Sequence, residues 1–454
     1  MKTIKISVSA VAVTVLLLSA ASCKKDFYTK VNKNPNAPAS VVPSVLLPTA
    51  ETAIGYYVGG EMSQYTSMFT QQTFGQSRQS QIYYQYVMNT SDFDDLWGNM
   101  YSSAMENDYT LMQQATSGGN NEYKGISEVL MAYSLQTMVD CWGSIPYSQS
   151  FKGVSNLHPA YDNDQTLYGT ITTLLNQAIV DLNNPNSGLL TPSTDDFMYG
   201  GNAANWIKFA HAIKARLFIH QTKHNNIAMA DSALVEVGES FQSNADNATI
   251  TYGTAATAAG EWYQFNTQRG DISFAYSKMD TVLNMLNDPR KNILIDSTAE
   301  LTQGPGFGGF YGGIPNAPVD FITYSEMQFV AAEATLRAGG SVVAAQTFYI
   351  NGITQNMARL GVTSTNTTAY LAGTQGLLPG TTNAAIAQIA YQEWIALYLN
   401  PEAWTLWRRT ASPTLIPVAG SNGVARRFIY PQSEVNLNNA PPCTMWSPTL
   451  FWDN

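Results

Sequence analysis

The sequence predicts a mainly α-helical protein elaborated by long loops. Three observations carry this: apolar residues recur at helical spacing in several separate stretches, capping residues precede them, and long polar, Gly-rich segments divide one stretch from the next. In chain order, Ile126 to Val139 is apolar nearly all round and reads as a buried helix. Asp162-Asn-Asp-Gln165 caps a helix whose inner face is Leu167, Ile171, Leu174, Ala178 and Leu182. Ala204 to Lys223 repeats the spacing with Trp206, Ala210, Ile213 and Leu217. Thr323-Tyr-Ser-Glu326 is a capping box opening Met327 to Ala338, where Ala331, Ala332 and Ala334 admit a close neighbour. Ala384 to Leu399 is a further helix, stopped by Pro401. The long loops fall at 243–274, 297–320 and 361–382, and loops of such length are usually functional. No strict period emerges, so pattern alone assigns no repeat.

The N-terminus points to export. Lys2 and Lys5 precede the apolar stretch Ile6 to Leu18, and Ser19-Ala20-Ala21-Ser22 lead into Cys23. That order is expected of a signal peptide over residues 1–22, with acyl chains on Cys23 as the new N-terminus. The strongly apolar part is shorter than the ~20 residues a bilayer core requires. Residues 23–48 read as a lipidated tether punctuated by Asn34, Pro35, Asn36, Pro38, Pro43 and Pro48, and residues 49–454 as a single binding domain.

Composition narrows the partners. The net charge is −10, and −12 once Lys2 and Lys5 are removed, which argues against a nucleic-acid backbone. The chain has 25 Tyr and 9 Trp, and aromatic faces beside neutral amides and hydroxyls suit a sugar. Cys141 and Cys443 are the only cysteines besides Cys23, too few for a disulfide framework, and their pairing stays open.

No catalytic constellation emerges. Gly304-Pro-Gly306-Phe-Gly-Gly309 has dinucleotide-fingerprint spacing, but it follows no strand and opens no helix, so it reads as a flexible aromatic loop. His220 and His224 sit one helical turn apart, with His211 further up the same helix, but zinc would need a third, convergent ligand and a nearby carboxylate, and His220, Lys223 and His224 fit the favourable last turn of a helix. The acid pairs Asp94/Asp95 and Asp195/Asp196 are adjacent residues, which diverge, and Asp94/Asp95 suit a helix start. No metal site and no cofactor are expected.

What remains is aromatic clusters in segments read as non-helical. They are Tyr83, Tyr84 and Tyr86; Trp262, Tyr263 and Phe265 with Arg269; and Phe307, Phe310 and Tyr311. If 81–88 is a strand, Tyr84 and Tyr86 share a face and Tyr83 points to the other. Rings flanked by Gln, Asn and Arg can stack on a sugar while amides bind its hydroxyls. The expected ligand residues are Trp262, Tyr263, Arg269, Tyr83, Tyr84, Tyr86, Phe310 and Tyr311.

A series of ordered blocks then resembles the SusD/RagB family of nutrient-binding outer-membrane lipoproteins. The blocks are Cys23-Lys-Lys-Asp with Asn34-Pro-Asn-Ala-Pro38, Asp140-Cys-Trp-Gly-Ser-Ile-Pro-Tyr147, His158-Pro-Ala-Tyr-Asp162, Tyr199-Gly-Gly201 with Trp206 and Lys208-Phe-Ala210, and Asn287-Asp-Pro-Arg290. Ala331-Ala-Glu-Ala334, Glu393-Trp-Ile-Ala-Leu397, Trp407-Arg-Arg-Thr410, Tyr430-Pro-Gln-Ser-Glu434 and Phe451-Trp-Asp453 complete the series. Ser144 stands where the family usually has Asp, and Asp26 is the one acid near the cysteine. The resemblance implies tetratricopeptide-like helix pairs forming a superhelical scaffold with variable loops. It implies a lipid-anchored place on the outward face of the outer membrane, capping a TonB-dependent transporter of the SusC type. It carries no ligand-binding residue, because the matched blocks look structural. The expected activity is non-enzymatic binding of an oligosaccharide or polysaccharide; alternatives are a peptide-binding protein of the same fold and a glycoside hydrolase.

Overall fold

The computed structural model describes residues 41–186, 188–223, 226–295 and 309–453, so Cys23, His224, Phe307 and most of the Gly304–Gly309 motif lie outside the described residues. One compact unit spans Pro43–Asn454. Its helices in chain order are α1 (Pro43–Tyr57), α2 (Ser63–Phe69), α3 (Arg78–Tyr84), α4 (Asp94–Asn99), α5 (Glu106–Gly118) and α6 (Asn121–Trp142). They continue as α7 (Asp164–Leu182), α8 (Ala203–His220), α9 (Ile227–Glu239), α10 (Glu261–Gln268), α11 (Lys278–Met285) and α12 (Lys291–Leu294). The last are α13 (Tyr324–Arg337), α14 (Val342–Arg359), α15 (Ser364–Leu371), α16 (Thr382–Ala396), α17 (Glu402–Thr410) and α18 (Gln432–Leu437).

Sequential helices pair: α5 packs on α6, α6 on α7, α8 on α9, and α13 on α14. This is the tetratricopeptide-like scaffold. Its centre is α6, buried on nearly every side from Tyr123 to Trp142, as an all-round apolar helix must be. The Asn120 side chain caps it by accepting from the Tyr123 amide at 3.2 Å. Asn163 caps α7 in the same way, receiving the Gln165 and Thr166 amides. On α7 it is Leu175 that joins Leu167 and Leu182 on the buried face, with Leu174 turned part-way to solvent. Thr323 caps α13 through the Glu326 amide. Glu326 does not close the expected box, because its carboxylate binds buried Arg216 at 2.6 and 2.8 Å.

The strands are short. Antiparallel pairs join β1 (Phe74–Gly75) to β5 (Ile272–Ser273), β2 (Ile145–Pro146) to β3 (Tyr161–Asp162), and β4 (Ala248–Thr251) to β6 (Pro318–Ile322). Each clips a loop to the scaffold. The 243–274 segment therefore contains β4, α10 and β5, and 361–382 contains α15, where the sequence predicts loops.

The tether boundary is also corrected. α1 starts at Pro43 and includes Pro48. A proline at the first helical position lacks an N–H that has no partner there anyway, and Pro48 removes a single bond still near the start. Among the described residues no helix is long and apolar enough to cross a membrane. Cys141 and Cys443 are both free thiols, Cys141 buried.

Candidate functional site

The site begins where α1 stops. After Tyr57 the backbone widens into a π-turn over Val58–Met62 before resuming as α2, a deformation frequent at functional sites. Glycine is required here for close approach. A Cβ on Gly59 would lie 2.4 Å from Val319 Cγ1, and one on Gly60 would lie 2.8 Å from Glu261 Cβ. Those two contacts bring β6 and α10 against the turn. Glu261 and Glu61 consequently face one cleft.

That cleft has a volume of about 530 Å³. Tyr56 and Tyr57 enter from the end of α1, Gln64 and Tyr65 from α2, Gln79 and Tyr83 from α3, Asp95 and Asn99 from α4, and Phe265 and Arg269 from α10 and the residue after it. Tyr83 stands edge-on to Tyr65 with ring centroids 4.9 Å apart. The Arg269 guanidinium lies 5.7 Å from the Phe265 ring centroid. It is held by buried Asp271 at 2.7 Å, which also draws in Arg78 at 3.3 Å.

The carboxyls are restrained by neighbours. Tyr65 Oη donates to Glu61 Oε1 at 2.5 Å. Gln64 Nε2 lies 2.7 Å from both Glu261 oxygens. Burial pushes Glu261 up to about 8, against the Gln64 hydrogen bond and helped by the Glu61 charge. Burial also raises Glu61, with Asp95 and Asp92 adding to the shift and the Tyr65 hydroxyl opposing it. Tyr83 is pushed up to about 12, chiefly by burial. The Tyr83 hydroxyl and the raised Glu261 carboxyl therefore stand as O–H donors at neutral pH beside the amides of Gln79 and Asn99.

The sequence clusters divide at this cleft. Tyr83 and Arg269 line it, together with Phe265. Tyr84 turns away and packs its ring on Phe74, 4.8 Å between centroids. Tyr86 is only 5% exposed; its φ of 58° folds the chain inward so that the ring meets Phe69. The 81–88 segment is thus helix and turn, not strand, which separates the three tyrosines. Trp262 is likewise 5% exposed, and its indole N–H donates to Ser63 Oγ at 3.0 Å. Tyr263 and Tyr311 sit with Trp262 around a separate cavity of only about 40 Å³. Tyr311 Oη donates to Asp320 at 3.1 Å, and Phe310 lies beneath the Arg359 guanidinium. Trp262 and Tyr86 belong to the packing, and Tyr263, Tyr84, Phe310 and Tyr311 lie outside the cleft wall.

The sequence reading misses Tyr56, Tyr57, Glu61 and Gln64. Their signal is Tyr56-Tyr-Val-Gly-Gly-Glu61, paired rings running into a glycine pair and an acid.

The other candidate groups are structural. Asp196 accepts from the Met198, Tyr199 and Gly201 amides and from the Trp206 indole. Lys223 lies beyond the end of α8, whereas His220 stands in its last turn, as read, and is fully buried there. Its Nε2 lies 2.9 Å from Glu402, and its Nδ1 lies 2.9 Å from the Tyr168 hydroxyl and 3.6 Å from Asp140. Asp140, His220 and Glu402 are close enough to suggest a metal set. Opposite ring nitrogens address the two carboxylates, however, and Arg216 stands 3.5 Å from Glu402. That is a bridged ion-pair network rather than a shell around one ion.

The profile of a family described as SusD-like, "Starch-binding associating with outer membrane", matches residues 35–431. The chain belongs to the SusD-like family. Solved structures share the fold. A SusD/RagB family protein from Bacteroides thetaiotaomicron is 21% identical, with a TM-score of 0.75 over 91% of this chain and 99% of that one. A protein described as chitin-binding is 21% identical, with a TM-score of 0.77 over 91% of this chain and 100% of that one. A chitin-binding SusD homolog from Flavobacterium johnsoniae is 19% identical, with a TM-score of 0.74 over 91% of this chain and 97% of that one. No curated protein matches the chain. Within the SusD-like fold, several of the ordered blocks among the described residues supply packing contacts. Arg290 pairs with Asp288 at 2.6 Å, Arg409 with Glu333, and the Trp142 indole donates to Ile429 O at 3.0 Å.

Proposed function

We propose that this SusD-like protein binds a glycan at the outer membrane in the cleft bounded by α1, α2, α3, α4 and α10, and delivers it to a TonB-dependent transporter of the SusC type. The observation that carries the reading is the cleft itself. Rings of Tyr56, Tyr57, Tyr83 and Phe265 alternate there with carboxyl, amide and guanidinium groups, the mixture a sugar's apolar faces and hydroxyls require. The family's description as starch-binding, and the chitin-binding description of two structural neighbours, support a glycan over a peptide. A glycan array set beside a peptide library tests it. Enrichment of peptides alone would overturn the choice.

Binding without turnover is the second part of the proposal. Glu61 and Glu261 do converge, as a glycosidase pair must. Both are engaged by neighbours, however, Glu61 accepting from the Tyr65 hydroxyl and both Glu261 oxygens facing the Gln64 amide nitrogen. Incubating the protein with the glycans it binds should release no reducing ends.

Anchorage through acylated Cys23 and the Pro/Asn-rich arm after it completes the proposal. A binding protein without a channel of its own needs a transporter to move its ligand inward. A pull-down from mildly solubilised membranes should recover a large barrel protein in near-equal amount, and recovery of this chain alone would count against the pair.

A further inference from the structure

Helix α4 has a second working face. Asp95 and Asn99, one turn apart, line the glycan cleft. Trp97 and Gly98 lie on the other side of the helix, and Tyr101 and Ser102 follow them one turn later. These four residues line a different cleft of about 450 Å³, closed on its far side by Pro146, the Ser150–Gly153 loop and Glu434.

This second cleft is built in the same manner as the first. Trp97 forms an aromatic base, its ring 5.1 Å from Tyr101. Phe151 is part-exposed opposite, 6.2 Å from Tyr101 and stacked on Tyr109 at 4.9 Å with only 22° between planes. Tyr101 is fixed in turn, its hydroxyl donating to Pro146 O at 2.6 Å. Ser102 and Asn156 add a hydroxyl and an amide to the lining. Glu106 and Glu434 outnumber Lys152 on the lining, so the cleft does not favour an anion. Rings beside a hydroxyl, an amide and carboxylates that can accept hydrogen bonds fit a neutral, hydroxyl-rich ring.

We infer that the Trp97–Phe151 cleft is a second glycan-binding site, on the opposite face of α4 from the first. The inference rests on the glycan reading of the first cleft. Two sites separated by the width of one helix, about 10–12 Å, let a long chain engage both, with the gain in affinity that linked sites give.

The test is calorimetric titration of the mature protein with soluble chitin and starch fragments, short and long. Three variants accompany the wild type: Tyr83→Ala in the first cleft, Phe151→Ala in the second, and Ser102→Trp, which fills the second cleft from an exposed position. Thermal melting establishes that each is folded. Two equivalents of a short fragment should bind the wild type and one equivalent each variant, while long fragments should bind the variants at least tenfold more weakly. Wild-type stoichiometry and affinity in both Phe151→Ala and Ser102→Trp, with Tyr83→Ala impaired, would overturn the second site and leave the first standing. Failure of the wild type to bind any fragment would overturn both readings.

Discussion

Replacing Glu261 with Gln should abolish a pH dependence that the cleft imposes on the whole fold. In the folded protein, burial holds this carboxyl at about 8 against an ordinary 4.5. Between those values the folded state keeps the proton and the unfolded state has released it. The group's contribution to stability is therefore complete below about pH 4.5 and is lost as pH rises through 8. At ~1.4 kcal/mol per pH unit the full span corresponds to at most ~5 kcal/mol. Solvent reaches part of the side chain, so a loss of about 2–3 kcal/mol is expected. Glu261→Gln keeps the shape, leaves an oxygen to accept from Gln64 Nε2, and has no proton to lose. Urea midpoints at pH 5, 7 and 9 measure this. The wild type should fall across the series more steeply than the variant, and the variant should be the more stable of the two at pH 9. Equal slopes in the two proteins would refute the buried-carboxyl account.

Three further outcomes follow from the same geometry. Gly60→Ala places a methyl group against the Glu261 side chain; it should displace α10, weaken glycan binding in titration and cost about 1–3 kcal/mol in unfolding. Arg216→Met strips Glu326 and Glu402 of a fully buried partner and should destabilise by ~3–5 kcal/mol in urea, with glycan affinity retained in whatever fraction folds. Cys23→Ser should move the protein from the membrane fraction to the soluble fraction, since several acyl chains are needed for stable anchoring.

The scaffold is legible in the sequence because its signals are local. Trp206, Ala210, Ile213 and Leu217 fall on one helical face and are buried, and Asn120, Asn163 and Thr323 cap the helices they precede. The cleft is legible only in part. Polar aromatic surroundings single out Tyr83 and Arg269, which line the cleft, but equally Tyr86 and Trp262, which are buried. Whether a ring faces the core or the cleft is decided by contacts far along the chain. Trp262 reaches Ser63 Oγ, and Tyr65 reaches Tyr83, through tertiary packing alone. Short amphipathic helices at 78–84 and 261–268 carry too few turns to establish a period. Glu61 is hidden in a different way. Its role depends on the π-turn and on Gly59 and Gly60 admitting β6 and α10, and no spacing rule anticipates that approach.

The central claim, that the α1–α4 and α10 cleft holds a glycan, is tested most directly by titrating wild type and Tyr83→Ala with chitin and starch fragments. The account predicts saturable binding by the wild type and a loss of ~1.5–3 kcal/mol in the variant, the free energy of burying one ring face. That corresponds to a tenfold or greater fall in affinity. A folded Tyr83→Ala protein that keeps both the wild-type stoichiometry and the wild-type affinity would contradict it.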